Sequence, residues 1–339
     1  RSTLSSSSAA SDVYKRQTLT QRNRMITDPL FIIGIIGMAV CLVTWISFNI
    51  NDQEAEPFVI KYLSTISFIS GIALLLSIFY NSGDLGIVLL AFSIIAFIVM
   101  ICGYYFKNTE IISTSRGYLI PIFVIFVLRT FLYEPYQIPS GSMEPQLKKG
   151  DFLLVNKYAY GIKVNRIGIP KILINDPEYG DPVVIIPPHN PVPYIKRLIG
   201  KPGDVVRIIN KQVYVNGNAL ERSFINSEEI ILKRRFKYSS GEIITRDIDA
   251  VGDLYLEKHG EAEYRIRNTR NENEQYPQEW TIPEGHYFVM GDNRDNSNDS
   301  TKDVGFVPRE NFFGRADYLW MTWECWTCLP SFKKAGRIN

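Results

Sequence analysis

Four apolar runs fill most of residues 30–133, and no other feature of the 339-residue chain restricts its fold as much. Leu30–Phe48 is mostly Ile, Leu, Val and Gly without a charge, long enough to cross a bilayer as a helix. Tyr62–Tyr80 is similar but diluted by Ser64, Thr65, Ser67, Ser70 and Ser77, and Leu85–Phe106 is the purest of the set. Tyr118–Tyr133 is shorter and carries Arg129 near its end, where a long cation can reach the interface. Tyr104, Tyr105 and Tyr133 stand at run ends, as interfacial aromatics do. One such run suits a buried helix of a large soluble protein; three or four in succession do not. The near-zero mean hydropathy therefore averages two unlike parts. We expect a membrane region over 18–117 with about three spans, a last transmembrane helix over 118–133, and a globular domain over 134–339.

The first residues need separate treatment. Ser7–Gln17 back-translates into a transposon adapter used in sequencing libraries, so residues 1–17 are expected to be adapter read-through, with Met25 a candidate natural start.

After Tyr133 the pattern changes to short runs of period two. Asp151–Val155, Pro182–Ile186, Tyr194–Ile199, Asp204–Ile209, Gln212–Val215, His286–Met290 and Ala316–Thr322 read as strands, with Asn210-Lys211 and Asn216-Gly217 as hairpin turns. The domain is expected to be mainly antiparallel β. Residues 222–283 differ in texture: Lys233-Arg234-Arg235, Asp247, Asp249, Arg265, Arg267, Arg270 and Glu272 are mixed with short β-like pieces such as Glu242–Thr245. They read as an insertion or small second lobe. Acidic residues through the same segment, and a net charge of only +2, argue against a nucleic-acid partner.

Cysteine usage decides little. Cys41 and Cys102 lie inside apolar runs, and Cys325 and Cys328 form a lone Cys-x-x-Cys, which suits a disulfide or half a metal site. No second pair completes a zinc set, so no metal is expected.

Ile138–Gly150 follows the last apolar run. Pro139 and Pro145 stiffen it, and Gly141 separates Ser140 from Ser142. Two serines so held can supply a nucleophile and a helper; the same spacing also suits a polar linker leaving a membrane helix. A serine hydroxyl needs a base. The three histidines, His189, His259 and His286, lie in no triad-like motif and read as structural. Lys196 is the other candidate. It sits in an apolar strand, sharing a face with Leu198 by alternation. Burial would disfavour its charged form and leave a free amine near neutral pH, as a lysine base requires. A solvated edge lysine is the plainer alternative. The third piece is Gly291–Ser300, a dense Asp/Asn/Ser run behind a strand. It lacks calcium-loop spacing and reads as a hydrogen-bonded loop closing the site.

Pro139-Ser140-Gly141-Ser142-Met143, Gly150-Asp151, Tyr194-Ile195-Lys196-Arg197, the Gly291–Ser300 run and Gly305-Phe306-Val307-Pro308, with Gly314-Arg315-Ala316 behind them, resemble in this order bacterial type I signal peptidase. The likeness covers Tyr133–Trp323, and 222–283 falls where that family varies. It implies N-terminal transmembrane α-helices followed by a mainly antiparallel β catalytic domain, a serine endopeptidase with a Ser/Lys dyad. Ser142 would then be nucleophile and Lys196 general base. The Ser142 N–H and the Ser140 hydroxyl would form the oxyanion hole. Ser297 would orient the Lys196 amine, with Asp299 and Tyr194 in support, and apolar surface at Ile138 and Met143 would hold an extended substrate. The likeness also implies no cofactor or metal, and exported preproteins as substrates, cut after small residues at −3 and −1. The enzyme would act as a monomer in the bacterial cytoplasmic membrane, with its catalytic domain on the extracytoplasmic face.

Four spans with Ser142 outside would make the loop Lys107–Gly117 cytoplasmic, as the positive-inside rule prefers, yet also the acidic Asn51–Lys61, leaving Arg22 and Arg24 outside. One departure concerns the last box. The family's Arg that pairs with the Asp of this box is replaced here by Thr301 and Lys302, with Lys302 a candidate substitute partner for Asp299. Two rivals remain. A self-cleaving Ser/Lys repressor-type peptidase would be soluble and carry a DNA-binding module, against the apolar runs. A non-catalytic membrane scaffold binding exported chains would not need both Ser142 and Lys196.

Overall fold

The structure is a computed structural model that describes residues 27–51, 56–80, 85–162, 172–173, 175–188, 192–237, 243–270, 278–325 and 327–338. The 1–17 stretch, Arg22, Arg24, Met25, residues 52–55 of the expected acidic loop, His189, Glu242 and Glu272 lie outside them. The chain divides into two compact units, up to Thr130 and from Phe131 onward.

The first unit is helical: α1 (Pro29–Ile50), α2 (Pro57–Tyr80), α3 (Leu85–Phe106) and α4 (Thr109–Val127). Asp28 caps α1 by accepting from the Leu30 N–H at 3.2 Å, and Pro29 opens the helix where no N–H is needed. Small residues let neighbours approach: a Cβ on Gly34 would lie 3.0 Å from the Ser70 carbonyl oxygen of α2. Among the described residues, four helices are long and apolar enough to cross a membrane. The expected loop over Lys107–Gly117 is instead a two-residue turn followed by α4. Asn108 caps that helix, its Oδ1 accepting from the Ile111 N–H at 3.0 Å, and Glu110 lies in the first turn, where an anion is favourable. Beyond Val127 the helix widens into a π turn over Leu128–Leu132.

The second unit holds seventeen strands among the described residues: β1 (Tyr133–Gln137), β2 (Asp151–Asn156), β3 (Gly161–Ile162), β4 (Ile172–Leu173), β5 (Pro182–Ile185), β6 (Tyr194–Gly200), β7 (Val205–Ile209), β8 (Gln212–Val215), β9 (Asn218–Ala219), β10 (Glu221–Lys237), β11 (Ile243–His259), β12 (Ala262–Thr269), β13 (Gln278–Thr281), β14 (His286–Met290), β15 (Val307–Pro308), β16 (Phe312–Thr322) and β17 (Gly336–Arg337). The main sheet runs β1-β2-β16-β5-β6-β14-β15, with β17 on β16, and every pairing in it is antiparallel. A smaller sheet, β13-β7-β8-β9, turns at Asn210-Lys211 and Asn216-Gly217, whose four positive φ angles match the tight hairpin turns expected there.

Three differences from expectation have local causes. Tyr133–Gln137 is a strand rather than a helix end; Pro135 is tolerated because β1 is an edge strand that pairs only with β2. β16 begins at Phe312, four residues early, and Gly314 lets β2 come close, since a Cβ there would lie 2.4 Å from the Asn156 carbonyl oxygen. The 222–283 segment is neither short-stranded nor one sheet. β10 and β11 are 17 residues each and form a long hairpin joined by β12, whereas β13 returns to β7.

Two apolar clusters flank β6 and β14: one around Val183, Leu198, Val289 and Phe312, the other around Ile199, Val206, Val213 and Phe288. A third, with Met143, Leu147, Leu153 and Leu319, underlies the Ile138–Gly150 segment.

Candidate active site

Ile138–Gly150 is a closed loop. Its ends meet through Gly150 N–H to Ile138 O at 3.0 Å and Ile138 N–H to Asp151 O at 2.8 Å. Met143 and Leu147 plug it into the third cluster, with Met143 0% exposed. Ile138, at 4% exposed, belongs to the same cluster. Ile138 and Met143 both pack as an apolar floor that holds the loop's irregular backbone. Ser140 and Ser142 stay on top, their hydroxyl oxygens 3.5 Å apart.

Lys196 points to this loop from the middle of β6. Its Nζ is hydrogen-bonded to Ser142 Oγ at 2.7 Å, and the residue is 3% exposed. Burial lowers the Lys196 pKa to about 8, against the opposing pull of Asp299 and Asp292. The Tyr194 ring lies two residues back along β6, 5.6 Å from the ammonium nitrogen. A hydroxyl touching a poorly hydrated amine is an arrangement that can pass a proton from oxygen to nitrogen.

The Gly291–Ser300 run closes over the pair. Asn293 grips the serine loop twice, its backbone N–H donating to Ser142 O at 3.1 Å and its Nδ2 to Gly141 O at 2.9 Å. Gly291 has to be glycine: a Cβ would fall 2.3 Å from Ser297 Oγ and 2.5 Å from Ser142 O. Asp299 is fully buried and accepts from Gly291 N–H at 2.9 Å and from the Thr301 N–H and hydroxyl at 3.1 and 2.7 Å. Lys302 donates instead to the carbonyls of Ser297 and Asp295, so Thr301 and not Lys302 takes the partner's place. A threonine two residues on can turn back on an aspartate, which a longer amine in this turn does not do. The expected bond from Ser297 to Lys196 is not made in this structure: Ser297 Oγ is buried without a hydrogen-bond partner, and the amine faces Ser142.

Arg197, next to Lys196 in its motif, and Asp292, the second residue of the Gly291–Ser300 run, form a buried ion pair. Arg197 is fully buried on the other face of β6. It grips Asp292 with two bonds of 2.9 Å, donates to Gly180 O at 2.7 Å and stacks 3.8 Å over Tyr264. This fork ties β6 to the loop after β14. Its sequence signal was an Arg beside the lysine in one box and an Asp after the glycine of another. Neither described histidine approaches the pair through any contact: His259 packs on Tyr179, and His286 faces the Glu284 carbonyl. Among the described residues, no group of three His, Cys, Asp or Glu side chains gathers as a cation would need. Cys325 and Cys328 are joined in a disulfide.

Apolar helices ahead of an antiparallel β domain, with a serine hydroxyl set against a buried lysine amine, point to the class of serine endopeptidases. A profile described as signal peptidase, peptidase S26, matches residues 111–323. Signal peptidase I of Pseudomonas aeruginosa is 41% identical over 247 residues, covering 69% of this chain and 81% of that protein. Signal peptidase I of Rickettsia massiliae is 34% identical over 222 residues, covering 61% and 78%. A crystal structure of a signal peptidase I from Enterococcus faecalis aligns with 26% identity and a TM-score of 0.25 over 42% of this chain and 97% of that one. The chain belongs to the signal peptidase family, peptidase S26.

Proposed function

We propose that the chain removes signal peptides from exported preproteins by Ser/Lys catalysis. The contact between Ser142 Oγ and the buried Lys196 Nζ, 2.7 Å long, carries this reading. Ser142 Oγ attacks the scissile carbonyl carbon as its proton passes to the free Lys196 amine. The oxyanion that forms accepts from the Ser142 N–H and the Ser140 hydroxyl. The resulting ammonium returns the proton to the leaving amine as the C–N bond breaks, leaving an ester on Ser142. Water, deprotonated by the same lysine, hydrolyses that ester. Ser297 Oγ, buried and unbonded at rest, accepts from the Lys196 ammonium as it turns from Ser142; an orphan buried hydroxyl otherwise costs stability. Tyr194 covers the amine, and Asp299 holds the loop that carries Ser297.

The substrates are cut after small residues at −3 and −1, and no cofactor takes part. The apolar helices hold the enzyme in the bacterial cytoplasmic membrane as a monomer, its β domain on the extracytoplasmic face. The test is cleavage of a preprotein with an Ala-x-Ala junction by the protein in detergent. Wild type is expected to cut at that junction. Ser142→Ala and Lys196→Ala, still folded, are expected to lose at least about a thousandfold in kcat/KM, since each removes a member of one catalytic unit. Near-normal cleavage by Lys196→Ala would place the base elsewhere.

A further inference from the structure

A side chain of the β10–β12 lobe reaches the serine loop. Arg267, on β12, is 7% exposed, and its Nη2 donates to Glu144 Oε2 at 2.6 Å. Glu144 lies two residues beyond Ser142. The same guanidinium donates through Nη1 to Glu228 on β10 at 3.1 Å, so one fork spans the lobe's outer strand and the serine loop. The backbone joins in: Arg267 N–H donates to Asp292 O at 2.9 Å, immediately before the Asn293 that grips Gly141 and Ser142.

Two glycines make room for this pair. A Cβ on Gly252 of β11 would lie 2.8 Å from Arg267 Cδ, so the arginine stem runs over a bare strand. A Cβ on Gly141 would lie 2.9 Å from Glu144 Oε1, so the glutamate folds back over the residue that precedes Ser142. The Glu144 carboxylate is thus held against the turn that bears the proposed nucleophile and oxyanion donors. Unpaired there, it would be free to swing, and its charge would oppose an oxyanion forming nearby. A mostly buried guanidinium fork fixes it and offsets part of its charge.

We propose that Arg267 and Glu144 act as one positioning pair, through which the lobe sets the Ser142 turn for catalysis. This rests on Ser142 being the nucleophile. Arg267 touches no reacting atom; it works through Glu144 and Asn293.

The experiment measures kcat and KM separately on a peptide with an Ala-x-Ala junction, using full-length protein in detergent. It compares wild type, Glu144→Gln, Arg267→Met, Arg267→Lys, the Glu144→Gln/Arg267→Met double variant, and Ser142→Ala. Glu144→Gln and Arg267→Met are each expected to lower kcat at least about tenfold, or about 1.4 kcal/mol, with KM within about twofold of wild type. The double variant is expected to be no worse than Arg267→Met, because the pair is already broken in either single variant. Arg267→Lys, which keeps the charge but not the fork, is expected to recover part of the loss. If Arg267→Met does not fold, Glu144→Gln decides, since Glu144 is the more exposed partner. Wild-type kcat in Glu144→Gln, or losses that multiply in the double variant, overturns the pair while an inert Ser142→Ala leaves the nucleophile standing. An active Ser142→Ala overturns the reading on which the pair rests.

Discussion

Lys196 has to be uncharged to accept a proton, and with its pKa lowered to about 8 by burial it is half uncharged near that pH. Below pH 8 the free-amine fraction falls about tenfold per pH unit, so kcat/KM is expected to rise with pH along a limb centred near 8 and then level. The Lys302 charge pushes the Lys196 pKa down. Removing it in Lys302→Gln therefore raises that pKa, and the limb should move to higher pH. A pH–rate profile of both proteins checks this; a limb that stays put or moves down in the variant would count against Lys196 as the titrating base. A lysine between apolar strand residues is conspicuous in the sequence, and the structure buries it against Ser142. Arg197 was not assigned, because its meaning lies in Asp292, 95 residues away. Ile138 and Met143 are less legible, because an apolar residue beside a serine fits a substrate surface and a core floor equally well.

Between residue and domain, the unit that matters is β14 with the loop behind it. The strand brings Gly291 against Ser142 O and Ser297 Oγ, and the loop is then fixed by Asp299 accepting from Gly291 and Thr301. No side chain fits at 291. Gly291→Ala must displace either the serine loop or Ser297, and we expect kcat to fall at least about a hundredfold, since displacements near 1 Å have that effect on catalysis. Single-turnover cleavage with the folded variant measures it; a loss under threefold would show that the two loops are not in the close contact described. Period-two alternation made β2, β5, β6, β7, β8 and β14 readable, and the two hairpin turns carry their own chemistry in Asn and Gly. The β10–β11 hairpin escaped because strands of 17 residues far exceed the usual five or six, and charges at Asp247, Asp249 and Asp253 break the apolar alternation. β1 escaped because Pro135 argues against a strand unless an edge position is known.

At the scale of the whole molecule, the division at Thr130/Phe131 makes a prediction about what folds alone. The part from Phe131 onward contains all three apolar clusters of the β domain, the main sheet and both members of the proposed dyad. A chain shortened to begin at Phe131 is therefore expected to fold, to melt cooperatively, and to cut a soluble Ala-x-Ala peptide with kcat/KM within about tenfold of the full chain, a margin of about 1.4 kcal/mol in the barrier. A chain begun at Ile138 differs by seven residues but loses β1 and its whole register with β2, from Tyr133–Asn156 to Gln137–Phe152. That uncovers the β2 edge, and an unprotected edge strand invites pairing between molecules. The second truncation is expected to melt lower and to aggregate, and thermal melts with light scattering separate the two. Unfolding of the Phe131 chain itself would mean that the β domain depends on the helices for its stability, and that the short edge strand is not what closes the sheet.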